Sequence, residues 1–357
     1  MTAVKRRGLL AASAGAAIAA PHIARADTPI QWRLATSWPR NLPGPGVTAQ
    51  RLADRIQTMS GGRIEITLYA AGEIMPALEV LDGVGTGAAH MGHTAAVFWS
   101  GKMSAAPFFL AIPFGLTPHE HITWIEHGGG QALWDELYAD FGVKPFMAGN
   151  TGMSMAGWFR EPLTNIHDLK GLRFRMPGLG GRMYAPFGVV QRSLPPGEIL
   201  QGLQTGGLDA AEFAGPSSDL ALGFYKVAKN YYWPGIHEPN GTGECLINAK
   251  AWAELPNDLQ AIIAQACQAE NSFALTEAEF RNAIALKRLT GEKDVTLQRL
   301  PDDIITEARA SAAEVLQSFY DAGGIEARIH DSYAALLDGV RPWSEISLEA
   351  FLAARGS

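Results

Sequence analysis

Asp168-Leu169-Lys170-Gly171-Leu172-Arg173-Phe174-Arg175-Met176-Pro177-Gly178 runs from a polar turn into an alternating segment. Leu172, Phe174 and Met176 share one face of that segment, Arg173 and Arg175 the other. Pro177-Gly178 stops it abruptly. An arginine two residues before such a stop sits at the carboxyl end of a strand, where open α/β sheets keep their ligand clefts. Its guanidinium is a fixed fork that suits a carboxylate. A solvated arginine at a strand end would carry the same local signature, so the neighbouring segments have to separate the two readings.

Those segments alternate strand with helix. Strands are expected at 30–36, 63–69, 88–93 and 143–150, with helical periodicity at 46–60 and 76–86. A helix is also expected at 118–141, weak at its centre, Gly128-Gly129-Gly130. Beyond Asn150 the alternation resumes. Strands at 155–159, 172–176, 189–191 and 210–213 are interleaved with helices at 180–187, 196–206 and 219–225. The pattern predicts mostly parallel sheets with helices on both faces. Tyr231 to Pro234 is extended, and 244–248 returns to the first sheet. Residues 257–290 form one helical pattern after Pro256-Asn257-Asp258. At 1.5 Å per residue it is about 50 Å long, enough to brace two lobes; two helices broken at 271–274 are the alternative. The expected organisation is therefore an export signal at 1–26, a first lobe at 27–150 plus about 244–256, and a second lobe at 151–243. A spanning helix at 257–290 and C-terminal helices at 291–357 complete it.

The chain has 357 residues, 47% hydrophobic, and a formal charge of −7. Lys5, Arg6, Arg7 and Arg25 are the charged residues of the first 26, which leaves −11 on the rest. Such a surface argues against nucleic acid and anionic membrane as partners. Lys5-Arg6-Arg7, the apolar stretch 9–20 and Ala24-Arg25-Ala26 have the layout of an export signal, and Arg6-Arg7 gives it a twin-arginine character. Cleavage near Ala26 would place the protein in the periplasm. Cys245 and Cys267 both lie in apolar surroundings and read as two buried thiols, although export would permit a bridge.

Enzyme signatures fail one by one. Gly152-Met153-Ser154-Met155-Ala156 approaches a nucleophile elbow but lacks the final glycine, and a strand follows where a helix is needed. His90 and His93 have no third ligand spaced with them, and His119 and His121 would point apart on a helix. Gly178-Leu179-Gly180-Gly181 lacks the lysine or downstream acid of a nucleotide loop. Binding residues are better represented. Asn150 ends a strand before a turn, free to face a cleft or to cap the turn. Glu212 lies in the apolar strand Ala210-Ala211-Glu212-Phe213-Ala214, where a carboxylate must be paired or metal-bound. Glu238 sits between His237 and Pro239 and would otherwise be a solvated loop acid.

From about Trp32 to about Leu336 the chain resembles the periplasmic solute-binding proteins of TRAP (tripartite ATP-independent periplasmic) transporters. It is most similar to the branch that binds 2-oxo acids such as pyruvate, and to lactate binders. The matching pieces are Thr36-Ser37-Trp38-Pro39, His93-Thr94-Ala95, Gly149-Asn150-Thr151-Gly152, Gly157-Trp158-Phe159, the arginine strand with 177–181, Asp209-Ala210-Ala211-Glu212, the segment 223–229 and His237-Glu238-Pro239. The resemblance implies a two-lobed α/β periplasmic-binding-protein fold with a hinge and a membrane permease as partner. It implies that Arg175 clamps a substrate carboxylate and that Asn150 and Thr94-Ala95 border the ligand. It also implies that Glu212, Glu238 and the Phe213 carbonyl hold a cation, Na⁺ or Ca²⁺, that bridges to substrate oxygens. Some relatives exchange C-terminal helices in a dimer, and the segment from Pro301 has the helices for it; monomer and exchanged dimer both stay open.

Three departures from the branch matter. It usually has Gln, a metal ligand, where Ser154 stands, Trp at Phe213 and Tyr at Ser217. Smaller walls imply a ligand bulkier than pyruvate: a 2-oxo, hydroxy or aromatic acid. Trp38, Phe98 and Phe213 are expected to wall its apolar side, although core packing would suit them equally. With Ser154 the cation is either retained, water replacing the amide, or absent, the two acids reading the ammonium of an amine-bearing carboxylate. The rival class is an exported hydrolase.

Overall fold

The computed structural model describes residues 28–356; the export signal expected at 1–26 lies outside the described residues. Among them the strands are, in chain order, β1 (Ile30–Thr36), β2 (Ile64–Tyr69), β3 (Met91–Thr94), β4 (Val143–Asn150), β5 (Gly157–Phe159), β6 (Arg173–Arg175), β7 (Val190–Arg192), β8 (Ala210–Ala211), β9 (Asn230–Trp233), β10 (Thr242–Asn248) and β11 (Thr296–Arg299). They form two sheets, ordered β2-β1-β3-β10-β4 and β11-β9-β5-β8-β6-β7. Each sheet is parallel except for one strand. β10 is antiparallel to β3 and β4, and β5 is antiparallel to β8 and β9.

The exceptions follow from how the chain passes between lobes. It leaves the first sheet after β4 and returns to it as β10, having left the second sheet after β9. The links 151–156 and 234–241 are too short for the dozen or more residues of a parallel crossover. Each incoming strand therefore starts where its neighbours end, at the cleft side, and runs away from it. The two links lie side by side, with the Thr151 N–H donating to Gly241 O (3.0 Å) and the Ser154 N–H to Glu238 O (3.3 Å).

A third link is the single helix Asn257–Glu292. It is continuous through 271–274, so the broken alternative does not occur. Leu259, Ile263, Ala266 and Cys267 pack into the first lobe's core, and Leu289 into the second lobe's. Its buried face thus changes partner along its length. Glu270 anchors it to the helix Pro45–Met59 through Arg51 and Arg55 (2.8 and 3.3 Å). Helices Asp302–Ala322 and Gly324–Ser344 add a further tie: Ile304 and Ala308 enter the second core, and Phe319 and Tyr333 the first.

Two local expectations change. The helical stretch at 118–141 divides into Pro118–His127 and Gly130–Ala139, because Gly129 takes a left-handed turn (φ 84°) that L side chains resist. Within 291–357, read as helices only, β11 adds a parallel edge strand beside β9; four residues are too few for periodicity to announce it. Cys245 and Cys267 are both buried free thiols.

Glu244 is buried in the first lobe's core without a basic partner among the described residues. Glu244 on β10 accepts hydrogen bonds from Trp99 Nε1 and Tyr138 Oη. Burial pushes its carboxyl up to about 8, against those two bonds. The folded protein keeps this proton up to about pH 8, while the unfolded chain, at the ordinary value of 4.5, has already released it. Stability from this group is therefore lost as pH rises through that window, by up to about 1.4 kcal/mol per unit. The Glu244→Gln variant keeps a neutral partner for Trp99 and Tyr138. Its melting temperature, followed by circular dichroism from about pH 5 to about pH 8, is expected to fall less than the parent's.

Candidate ligand-binding site

The arginine strand is β6, at the carboxyl end of which Arg175 faces the cleft between the sheets. Arg175 is 2% exposed and Arg173, on the same face, is paired outward with Asp209. β8 runs parallel to β6, with Arg175 in register with Ala211, and the next N–H, that of Glu212, donates to Arg175 O (3.2 Å). This register places the Glu212 carboxylate against the guanidinium. Arg175 Nη1 donates to Glu212 Oε1 (2.7 Å) and to the Glu212 carbonyl (2.6 Å), and Nε to Leu194 O (3.2 Å). Nη2 bonds to no other described residue. His237 Nε2 lies 3.2 Å from Glu212 Oε2.

Glu238 follows His237 on the returning link and is also buried. One donor atom each from Glu212, His237 and Glu238 lie within 4.8 Å of one another, a spacing a single cation can span. The two acids differ electrically. Burial raises Glu212, but Arg175 and then His237 outweigh it, and its carboxyl is held below the ordinary range. Glu238 has no hydrogen-bonded or ion-pair partner among the described residues; burial, and then the charge of Glu212, push it well up against the pull of Arg175. The donor set therefore fits a positive ion, which would replace the missing partner of Glu238.

The apolar side of the cleft is aromatic. Trp38 lies with ring centroids 6.0 Å from Phe98 and 6.4 Å from Phe213. Trp38 belongs to the first lobe and Phe213 to the second, so this wall crosses the cleft. Trp38 Nε1 donates to His93 Nδ1 (2.8 Å), and His93 Nε2 donates to Ala148 O (3.0 Å). Burial lowers His93 to about 4, so it is a neutral wall residue. The cavity behind this wall is about 50 Å³ and is bordered also by Val97, Leu110 and Thr242.

Arg175, Asn150, Ala95, Trp38, Phe98, Phe213 and Glu238 all border this space. Glu212 lies just beneath it, against Arg175. One expectation is resolved and one needs correction. The Asn150 amide is not free for the cleft: Nδ2 donates to Asn240 Oδ1 (2.9 Å), and Oδ1 accepts from the Gly152 N–H (2.8 Å). It caps the link between the lobes while its edge lines the pocket. Thr94 points away, because strand alternation turns His93 and Ala95 inward; its hydroxyl pairs with Ser37 Oγ (2.6 Å). The sequence does not mark His237 as a site residue. Only its place beside Glu238 hinted at it, and adjacency in a loop does not show direction. Ser154 is buried with no partner on its hydroxyl among the described residues, and none of them stands as a base for the elbow reading.

Two lobes, short paired links and a buried arginine–carboxylate pair at the strand ends define a hinged small-molecule binding protein. Residues 34–322 match the family model of the bacterial extracellular solute-binding proteins, family 7. Over 327 residues the chain is 37% identical to a monocarboxylate 2-oxoacid-binding periplasmic protein of Nostoc sp., covering 90% of this chain and 89% of that one. A TRAP solute-binding protein of Bordetella bronchiseptica, with calcium and picolinate in one site of a mixed-occupancy dimer, superposes with a TM-score of 0.89 at 30% identity, over 93% of this chain and 100% of that one. Another, from Pseudoalteromonas atlantica with sodium and pyruvate, gives 0.88 at 34% identity over 91% and 99%. The chain belongs to solute-binding protein family 7, the periplasmic solute-binding components of TRAP transporters. This is a family of transport components and not of enzymes, which removes the hydrolase reading.

Removing one partner of a buried ion pair leaves the other charge uncompensated. The Arg175→Ala variant is expected to lose about 3–5 kcal/mol of stability without any ligand. Urea unfolding of parent and variant checks it; equal midpoints would show that Glu212 does not depend on Arg175.

Proposed function

We propose that this protein is exported, cleaved near Ala26, and captures in the periplasm a monocarboxylate 2-oxo acid, or a hydroxy or aromatic acid of similar outline, bulkier than pyruvate. Arg175 grips the carboxylate. Glu212, Glu238 and the Phe213 carbonyl hold Na⁺ or Ca²⁺, which reaches the ligand's oxygens. Trp38, Phe98 and Phe213 cover the apolar end, and the closed protein is delivered to a TRAP permease. Lobe I is read as 27–150 plus about 244–256 and lobe II as 151–243, hinged at the paired links.

The observation that carries this reading is the buried Arg175–Glu212–Glu238 constellation beside an aromatic wall. A carboxylate ligand brings one negative charge to a site that already holds a neutral arginine–glutamate pair and an unpartnered acid. In a low dielectric that charge needs compensation. With Arg175, both glutamates, the ligand and one Ca²⁺, the charges sum to zero; with Na⁺ they do so if one glutamate keeps its proton. The relatives support the choice of ion: calcium with picolinate in one, sodium with pyruvate in another. Picolinate is an aromatic acid, as the wall here would accept. Ser218 Oγ donates to Pro43 O across the lobes (2.9 Å), a contact that holds the cleft closed over its ligand.

A thermal-shift screen tests the reading. Aliphatic and aromatic 2-oxo acids, hydroxy acids and amino acids are each offered with Ca²⁺, with Na⁺ and with chelator in Na⁺-free buffer. A ligand at 100 times its Kd adds about 2.7 kcal/mol. The 2-oxo acids larger than pyruvate are expected to give the largest shifts, only when a cation is present. Arg175→Lys, which loses the fork, should abolish them. Equal stabilisation by amine-bearing acids in chelator would instead mean that Glu212 and Glu238 read an ammonium and that no ion bridges.

A further inference from the structure

We infer that the ligand site continues past Thr48 and Thr151 into a second, smaller cavity, which takes a hydroxyl at the far end of the bound acid. The inference rests on the reading of Arg175 as the carboxylate clamp and names which acids longer than pyruvate the cleft prefers.

Three observations carry it. First, two hollows share a wall. Thr48 and Thr151 border the cavity at Arg175 and also a second one of about 20 Å³. Thr48 belongs to the helix Pro45–Met59 of the first lobe; Ser217 and Ser218 of the second lobe and Glu277 and Asn282 of the long helix complete the lining. The cavity is thus assembled where the lobes meet, beside the contact of Ser218 Oγ with Pro43 O (2.9 Å). Second, its hydroxyls are open. Thr48 is buried, and Oγ1 has no partner among the described residues. Thr123, Thr290 and Thr306 instead donate to the carbonyl four residues back. Thr48 is positioned by its methyl group: a Cβ added at Gly149 would stand 2.8 Å from Thr48 Cγ2, and a β-branched side chain is stiff at χ1. Half-buried Ser217 gives its backbone N–H to Asn282 Oδ1 (3.0 Å), and its hydroxyl has no partner among the described residues. Third, the acid in the lining already has its counter-charges. Arg281 Nε donates to Glu277 Oε1 (2.7 Å), and Arg51 Nη1 lies 2.9 Å from Glu277 Oε2. The groups still to be met are neutral.

The chemistry of the lining sets the preference. A polar cavity of this size has room for about one water. A ligand hydroxyl both donates and accepts, so it can give Thr48 and Ser217 what a water would. A methyl group at the same position leaves both hydroxyls unpaired, and a carboxylate brings a second negative charge beside Glu277.

The test uses the full mature protein. Calorimetry in the presence of Na⁺ and Ca²⁺ compares three acids of equal length, 2-oxohexanoate, 6-hydroxy-2-oxohexanoate and 2-oxoadipate, and the corresponding three that are one carbon shorter. In the parent the hydroxy acid is expected to bind about tenfold tighter than the methyl-ended acid in at least one set, and tighter than the diacid of that set. The ratio is read within each protein, so a general change in affinity cancels. Thr48→Val, which keeps the shape and removes the hydroxyl, and Ser217→Ala should each lower the ratio of hydroxy to methyl-ended acid to about threefold or less. A ratio near one in both sets of the parent overturns the inference, and that readout needs no variant. So does a diacid that binds tightest, because the far end then reads a charge, and so does a ratio that survives in either variant. Arg175→Lys separates the inference from the reading beneath it. If it abolishes binding of pyruvate and of every longer acid, the clamp stands whichever way the ratios fall. If it binds them as the parent does, the clamp fails and the inference with it.

Discussion

The ion pair between Arg175 and Glu212 is the constraint to which the cleft is built. Both charges are out of water, and a buried pair survives only with good geometry and further hydrogen bonds. Sheet register supplies them: the Glu212 N–H extends the β6–β8 ladder to Arg175 O, and Nη1 closes on both the carboxylate and the carbonyl of Glu212. The second carboxylate oxygen is met by His237. One guanidinium nitrogen, Nη2, is left without a partner among the described residues. The strand must also end at once. Gly178 turns the chain with φ 69°, and a Cβ there would collide with Val97 of the first lobe (2.2 Å). The arginine strand can thus lie against the opposite lobe only with a glycine after it.

A second polar network holds the lobes in relation. Asn150 donates to Asn240, whose own amide nitrogen donates to Leu110 O and to Thr242 Oγ1. Thr242 Oγ1 lies 3.2 Å from His121 Nδ1, and His121 Nε2 donates to Phe108 O. Burial lowers His121 to about 4, so the imidazole is neutral and Nδ1 accepts. Every member has a partner, and a satisfied buried network specifies one arrangement. It ties both links to the apolar turn 106–110. The helix Asn257–Glu292 adds a stiff third connection, since Asn282 accepts from the Ser217 N–H and donates to Thr151 O. A hinge with two short links and one stiff brace can open in few directions.

Much of this was legible in the chain. Strand–helix alternation predicts the α/β class, and the Pro177-Gly178 stop places Arg175 at a strand's carboxyl end. An acid in the apolar run 210–214 announces a buried partner, because an unpaired charge there would cost too much. The long helix could be read from an uninterrupted helical pattern after Pro256. Less was legible about direction. Asn150 reads equally as a cleft residue and as a turn cap, and it does both. Thr94 and Ala95 stand side by side in sequence, yet alternation sends only one of them inward. The departure at Phe213 concerns size, while the pocket it borders depends on side chains from both lobes.

Local sequence by itself determined the elements, their order and the residue types that could bind an anion, since periodicity, turn chemistry and the cost of buried charge act over a few residues. Only the tertiary structure decided which of those residues meet. Arg175 and Glu212 are 37 positions apart and Trp38 and Phe213 far more. Their contact depends on sheet register and lobe closure, which no local pattern encodes. His237 is the clearest case. Only its place beside Glu238 marks it in the chain, and it meets the Glu212 carboxylate because the returning link turns its ring that way.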